Sequence, residues 1–194
     1  MVSNYKTIRL FLLWKFLMEK IMKLRTKPGE KAPDLSFTTI NNGNWSLHDN
    51  LVNEMNALIF YRGFYCPVCK DYLQLIQSQL DDYKDANTSV IVVSMDNEAK
   101  AKKAKIDWGL DKLNIGFNLS LEQAKNWGLF ISKSIKDAET DIFCEPGLFV
   151  IKKDGSLYMI NVSNMPWARP DVLSFPSKLK FALDNNYPVR GNHI

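Results

Sequence analysis

Cys66 and Cys69 stand three residues apart in Cys66-Pro67-Val68-Cys69. The chemistry such a pair offers is thiolate attack followed by resolution of the product by the second thiol. It requires one sulfur ionised near neutral pH. The pair follows the apolar run Ala57-Leu-Ile-Phe-Tyr61 and opens a stretch in which Cys69, Leu73, Ile76, Leu80 and Tyr83 repeat at helical spacing. The dithiol therefore belongs at the corner between a buried strand and a helix running from Cys66 to about Tyr83. With Cys66 at the N-cap, its sulfur faces the N–H of Cys69, and the helix end adds partial positive charge. Pro67 suits the first helical position, where a missing N–H costs nothing. Arg62, just upstream, is a candidate full charge for the same thiolate. Sites of this kind bring a thiol pKa to about 3.5–7.5 from ~8.5. The expected roles are Cys66 as exposed attacker and Cys69, turned toward the domain body, as resolver.

Three other readings stand beside this one. A structural disulfide would close a loop too small to remove much unfolded-chain entropy. Zinc asks for about four ligands. Besides Cys144 the chain offers His48 and His193, none at finger spacing. The third reading is a pair of inert core cysteines.

The elements that must position the pair are legible in outline. Leu35 to Thr39 alternates weakly, Asn42-Gly43 is a hairpin turn signal, and Trp45-Ser46-Leu47 is the return strand. Ala57 to Tyr61 reads as a strand buried on both faces, and Ser89 to Ser94 as another. Glu98 to Trp108 reads as a Lys-rich helix with Ala101, Ala104 and Trp108 inward and Lys100, Lys102, Lys103 and Lys105 on a solvated face. Ile115 to Leu119 is a short strand, and Ser120 caps a helix ending at Trp127. Residues 128–145 give no clear pattern. Leu148 to Lys152 and Leu157 to Val162 flank Lys153-Asp-Gly-Ser156 as a hairpin, and Pro170 to Asp184 reads as a last helix with Leu173, Leu179 and Leu183 apolar. Alternating strands and helices followed by a hairpin predict an α/β fold with a mixed central sheet flanked by helices. Active sites of such sheets lie beyond the carboxyl ends of the strands, where Cys66 falls.

The chain has 194 residues and a net charge of +4. Residues 1–27 hold seven Lys/Arg and one Glu, a charge of +6, and the remainder carries −2. Without its first segment the chain is close to neutral and carries no basic stripe for nucleic acid. Three cysteines with one close pair do not form a secreted disulfide framework. They suit a reducing, cytoplasmic setting. No apolar run approaches the roughly 20 residues that span a bilayer. Residues 8–22 form an amphipathic basic pattern, with Leu10, Phe11, Trp14, Leu17, Met18 and Ile21 on one side. Peripheral membrane contact, packing on the domain or a partner, and an upstream extension preceding Met18 or Met22 all fit it. The expected organisation is a basic N-terminal extension over 1–27 and a redox domain over 28–188.

Gly29-Glu-Lys-Ala-Pro-Asp34, a hairpin, and Phe60-Tyr-Arg-Gly-Phe-Tyr-Cys-Pro-Val-Cys69 together resemble thioredoxin-fold proteins of the alkyl hydroperoxide reductase and thiol-specific antioxidant type, in the peroxiredoxin-like branch carrying CPxC. Asp107-Trp-Gly-Leu110, Leu119-Ser-Leu-Glu-Gln-Ala124, Cys144-Glu-Pro-Gly-Leu-Phe149 and Met165-Pro-Trp-Ala-Arg-Pro170 resemble the same branch, so the similarity spans about residues 28–185. The resemblance implies a thioredoxin-like fold and thiol redox chemistry. It also implies that Pro146, in the slot of a proline that is usually cis, lies against the dithiol. Cys144 would then lie near it, and Arg169 is a further cation, as fit for the surface as for the site. Peroxiredoxins carry Pro seven and Thr three residues before the attacking Cys; this chain has Ile59 and Gly63 there. The implied activity is a thiol peroxidase using a Cys66 sulfenic acid resolved by Cys69, needing no organic cofactor or metal and recharged by an external dithiol such as a thioredoxin-type protein. A thioredoxin-like thiol-disulfide reductase using the same CxxC, and a non-catalytic redox-sensing binding module, are the alternatives.

Overall fold

Asn42-Gly43 does turn the chain. Gly43 takes a φ of +67°, and the Thr39 hydroxyl donates to its carbonyl at 3.1 Å. Strand β1 (Ser36–Thr39) thereby returns as β2 (Gly43–Ser46), pairing Phe37 with Trp45. The rings of these two stack at 4.7 Å. The computed structural model describes residues 26–193 together with Ile8, Arg9, Phe11 and Trp14. The four N-terminal residues are helical and exposed; the rest of the amphipathic pattern over 8–22 lies outside the described residues.

The apolar run forms β3 (Met55–Phe60), buried at every position. It pairs parallel with β4 (Thr88–Val93) and antiparallel with β8 (Gly147–Lys152). With β5 (Ile115–Phe117) and β9 (Leu157–Val162) these strands make a seven-stranded sheet in the order β2-β1-β5-β4-β3-β8-β9. Alternate residues of β3 feed two cores, as the period of a strand requires. Met55, Ala57 and Ile59 pack with Leu73, Ile76, Ala101, Ala104, Phe175 and Leu179. Leu58 and Phe60 pack on the other face with Trp127, Phe149 and Leu157. Burial on both sides explains the unbroken apolar sequence of this strand.

The helix after the dithiol is broken into α1 (Pro67–Ser78) and α2 (Leu80–Asp85). At Gln79 the N–H turns to the carbonyl of Ile76, a tightened last turn. The break lets Tyr83 pack edge-on against Phe175, ring centroids 6.4 Å apart. Helix α3 (Glu98–Asp107) is capped by Asn97. Helix α4 (Leu121–Asn126) starts in a reciprocal capping box between Ser120 and Gln123, which satisfies two otherwise free N–H groups. The last helix, α5 (Phe175–Asp184), begins later than its sequence pattern suggests. The Asp171 carboxylate accepts from the Leu173 N–H at 3.0 Å and the Ser174 hydroxyl at 2.6 Å. These bonds stabilise a turn instead of helix, and Leu173 is left exposed. The stretch 128–145 contains a small antiparallel pair, β6 (Ile131–Lys133) and β7 (Ile142–Cys144).

Candidate active site

The β3–α1 corner is built by backbone bonds. Cys66 is the N-cap of α1 in extended conformation, and its sulfur accepts the Cys69 N–H at 3.2 Å. The Cys66 N–H in turn donates to the Gly63 carbonyl at 3.1 Å. A buried carboxylate from the end of β4 fixes the start of this turn. Asp96 accepts the Phe64 N–H at 2.7 Å and the Thr140 hydroxyl at 2.8 Å. Gly63 sits at φ +140°, and a Cβ there would come within 2.8 Å of the Asp96 oxygens. Glycine is required on both counts. The Lys100 ammonium donates to the same Thr140 hydroxyl at 3.1 Å, so this lysine does more than hydrate a helix face.

Cys66 and Cys69 are joined as a disulfide, with Cα atoms 5.2 Å apart. Cys66 is only 2 % exposed and Cys69 is fully buried. The expectation of an exposed attacker is therefore corrected for the oxidised state. Bonded to Cys69, Cys66 belongs to the apolar cluster that includes Tyr61, Leu73 and Trp108, against which Phe64 and Tyr65 pack.

The charges are also distributed differently from the sequence expectation. Arg62 is engaged by two carboxylates, Glu145 at 3.3 Å and Glu139 at 3.5 Å. Its guanidinium lies 4.8 Å from the Phe143 ring centroid and 5.5 Å from that of Tyr65. Its charge is offset by these partners and is no free cation for the Cys66 sulfur. The cation that touches the pair is Arg169, whose Nη2 donates to the Cys69 sulfur at 2.9 Å.

The AhpC/TSA family pattern matches residues 28–160. The chain belongs to the AhpC/TSA family. It is 26% identical over 148 residues to a chloroplastic 2-cysteine peroxiredoxin of Chattonella marina var. antiqua, 73% of each protein being covered. The reduced 2-Cys peroxiredoxin of Plasmodium vivax superposes with a TM-score of 0.68 at 17% identity, over 84% of this chain and 100% of that one. Peroxidoxin BcpB of Mycobacterium tuberculosis gives 0.64 at 16%, over 84% and 99%. These two likenesses carry the fold, which is thioredoxin-like; the family match makes the chain a peroxiredoxin-like protein.

In this family member Pro146 precedes β8, which lies beside β3 with Gly147 opposite Phe60. The sheet register thus brings the Pro146 segment to the end of the strand that leads to the dithiol. A small recess there is lined by Pro146, Gly147, Tyr72 and Arg169. All peptide bonds of the described residues, Glu145-Pro146 included, are trans, so the implied cis proline is corrected. The Pro146 carbonyl accepts the Ser163 N–H at 2.9 Å, pinning the segment without a cis bond. Cys144 is buried, with its thiol 3.8 Å from the Tyr61 carbonyl. Burial pushes that thiol up to about 12, so it behaves as a core hydrophobe and not a nucleophile. Trp45, Trp108 and Trp127 are core residues, while Trp167 is 71 % exposed.

Asp96, Glu139 and Glu145 are the residues that sequence reasoning missed. Asp96 carried a usable signal. It ends Ser94-Met95-Asp96 just past a parallel strand beside β3, beyond the carboxyl ends of the strands, where such folds keep their chemistry. Glu139 and Glu145 lie in the stretch without periodicity, where no local signal marks a buried carboxylate.

Proposed function

We propose that this chain is a thiol peroxidase in which Cys66 is the attacking residue and Cys69 the resolving one. The Cys66 thiolate attacks a peroxide oxygen; an S–O bond forms, the O–O bond breaks, and the departing oxygen takes a proton to leave as water or alcohol. Cys69 then attacks the sulfenic sulfur. The S–S bond forms, and hydroxide leaves and is protonated to water. An external dithiol of thioredoxin type returns the pair to thiols by exchange and is itself oxidised to a disulfide. Membership of the family supports the peroxide chemistry. The single observation that supports these roles is the N-cap geometry: among the three cysteines only Cys66 caps a helix and accepts a first-turn N–H, that of Cys69, at its sulfur, with the resolving thiol one turn away. The composition fits a cytoplasmic, reducing setting. A peripheral membrane contact through residues 8–22 remains part of this proposal for the N-terminal extension.

A second reading, thiol-disulfide reduction by the same pair, draws on specific residues. Ile59 and Gly63 stand where the peroxidase pattern has Pro and Thr, so no hydroxyl is available there to hold peroxide.

One experiment separates them. Reduced protein is mixed with hydrogen peroxide or an organic hydroperoxide under stopped flow, comparing the unaltered chain with Cys66→Ser and Cys69→Ser. The peroxidase reading expects fast oxidation that disappears in Cys66→Ser and halts at a trappable sulfenic acid in Cys69→Ser. Sluggish oxidation together with rapid reduction of insulin disulfides would instead establish the reductase. If Cys66→Ser reacts as fast as the unaltered protein in both assays, the role assignment is wrong.

A further inference from the structure

The two sulfurs of the bridge occupy unequal electrostatic surroundings. Cys66 receives a backbone N–H, that of Cys69 at 3.2 Å. Cys69 receives a guanidinium, the Nη2 of Arg169 at 2.9 Å. A charge-assisted bond of this kind is roughly twice as strong as a neutral one. It grows stronger when the acceptor becomes an anion.

Arg169 is held for this contact. Its guanidinium carbon lies 4.7 Å from the ring centroid of Tyr72. The Tyr72 hydroxyl donates to the carbonyl of Pro170, the next residue, at 3.2 Å. Tyr72 therefore grips both the Arg169 side chain and the backbone of the residue after it, from the helix that carries Cys69. The other buried donors of Arg169, Nε and Nη1, have no hydrogen-bond partner among the described residues. Burial draws the guanidinium down to about 10, which leaves it protonated at neutral pH. The other titratable groups whose charge it feels are Tyr72, Arg62, Glu145 and Cys144. Glu145, the carboxylate among them, pairs with Arg62 at 3.3 Å, so it is no dedicated counter-ion for Arg169. A partly buried cation with spare donors beside a sulfur is a site prepared for negative charge on that sulfur.

We infer that Arg169 is a catalytic residue for the exchange step, stabilising Cys69 as the thiolate that departs when the Cys66–Cys69 bond is opened by attack on Cys66. In that step a reductant thiolate bonds to the Cys66 sulfur while the electron pair of the breaking S–S bond moves to Cys69. A second reductant thiol then releases Cys66, and the reductant ends as a disulfide. Exchange is faster the more stable the leaving thiolate, so Arg169 sets the direction of opening. The same contact serves the forward reaction, because it keeps Cys69 ionised to attack an oxidised Cys66. The inference rests on the redox role of the pair but not on peroxide being the oxidant.

The test titrates Cys69 alone. In a Cys66→Ser background the ultraviolet thiolate absorbance is followed against pH with Arg169, Arg169→Lys, Arg169→Gln or Arg169→Met. Cys144 stays silent below its raised value of about 12. With Arg169 the Cys69 thiol should titrate below the ordinary ~8.5, and both neutral variants should raise it by about one to three units. The Lys variant should fall between. In the otherwise unaltered chain, at dithiothreitol concentrations low enough for the rate to be proportional to them, reduction of the disulfide should slow by about threefold or more in Arg169→Gln and Arg169→Met. Two neutral variants guard against one of them failing to fold. A Cys69 titration that does not move on loss of the charge overturns the inference. No peroxide enters this measurement, so its outcome is independent of the peroxide assay.

Discussion

At Gly63, conformation and space make the same demand. The position has φ +140° and lies against the Asp96 carboxylate, while its carbonyl holds the Cys66 N–H. Gly63→Ala should lower stability by about 2 kcal/mol or more, through strain and a forced retreat of Asp96. It should also slow the Cys66 reaction, because the N-cap would shift with its turn. Urea unfolding and stopped-flow oxidation of one preparation check both effects; an unchanged urea midpoint would refute the packing account. This scale also shows what the sequence could not supply. The type and spacing of Cys66, Pro67 and Cys69 were enough to place the sulfur at a helix start, because capping is local. The source of the full charge was not local. Arg62 was the near candidate by chain distance, and Arg169, a hundred residues from Cys69, is the one in contact.

The small β6–β7 pair is an element that sequence pattern did not reveal, and its means of attachment explains why. Its strands are three residues each, too short for periodicity to register. Besides the ring of Phe143 against Tyr65 and the buried Cys144, polar bonds secure it to the β3–α1 corner. Arg62 reaches Glu139 and Glu145, the Ser132 hydroxyl donates to Glu145 at 2.7 Å, and the Ile135 N–H donates to Glu139 at 2.8 Å. Arg62→Met would leave two buried carboxylates without their cation. The expected loss is about 2–3 kcal/mol, less than for a fully sealed pair because Arg62 keeps some contact with water. Arg62→Lys should recover only part of it, since an ammonium cannot present the fork that spans both carboxylates. Thermal unfolding of the three proteins decides; equal midpoints would mean that the clamp is not a stabilising element. By contrast, β3, β4 and β8 were readable as largely buried apolar runs, and β9 as the return strand after the Lys153-Asp-Gly-Ser156 turn. Helices α1 and α5 were readable in place but not in extent. What shortened each was a competing contact: a tertiary one for α1, where Tyr83 packs on Phe175, and a local one for α5, whose start is delayed by Asp171 bonding Leu173 and Ser174.

For the molecule as a whole, the buried phenols and thiol predict an alkaline limit. Burial raises Tyr61, Tyr65, Tyr72 and Tyr83 above the ordinary 10.0, and raises Cys144 from 9.0 to about 12. In each case the folded chain keeps a proton that the unfolded chain gives up, so stability falls as pH rises. The contribution is intact below the unfolded values and drains away from about pH 9 upward, the thiol leading and the phenols following. Urea midpoints between neutral pH and about pH 11 should decline with that onset, and Cys144→Ala should flatten the earliest part of the slope. A midpoint that stays level throughout would show that these groups ionise without unfolding.

The burial of the oxidised bridge gives the molecule a memory. A bond between two buried cysteines, roofed by the apolar cluster on which Phe64 and Tyr65 pack, is closed to a visiting dithiol until the corner loosens, and such loosening is a rare local excursion. Recovery after a burst of oxidant would then be timed by the protein's own breathing and not by how much reductant surrounds it. Reduction rates that level off as dithiol concentration rises would mark that internal clock; rates that keep climbing in proportion would mean the roof is already open.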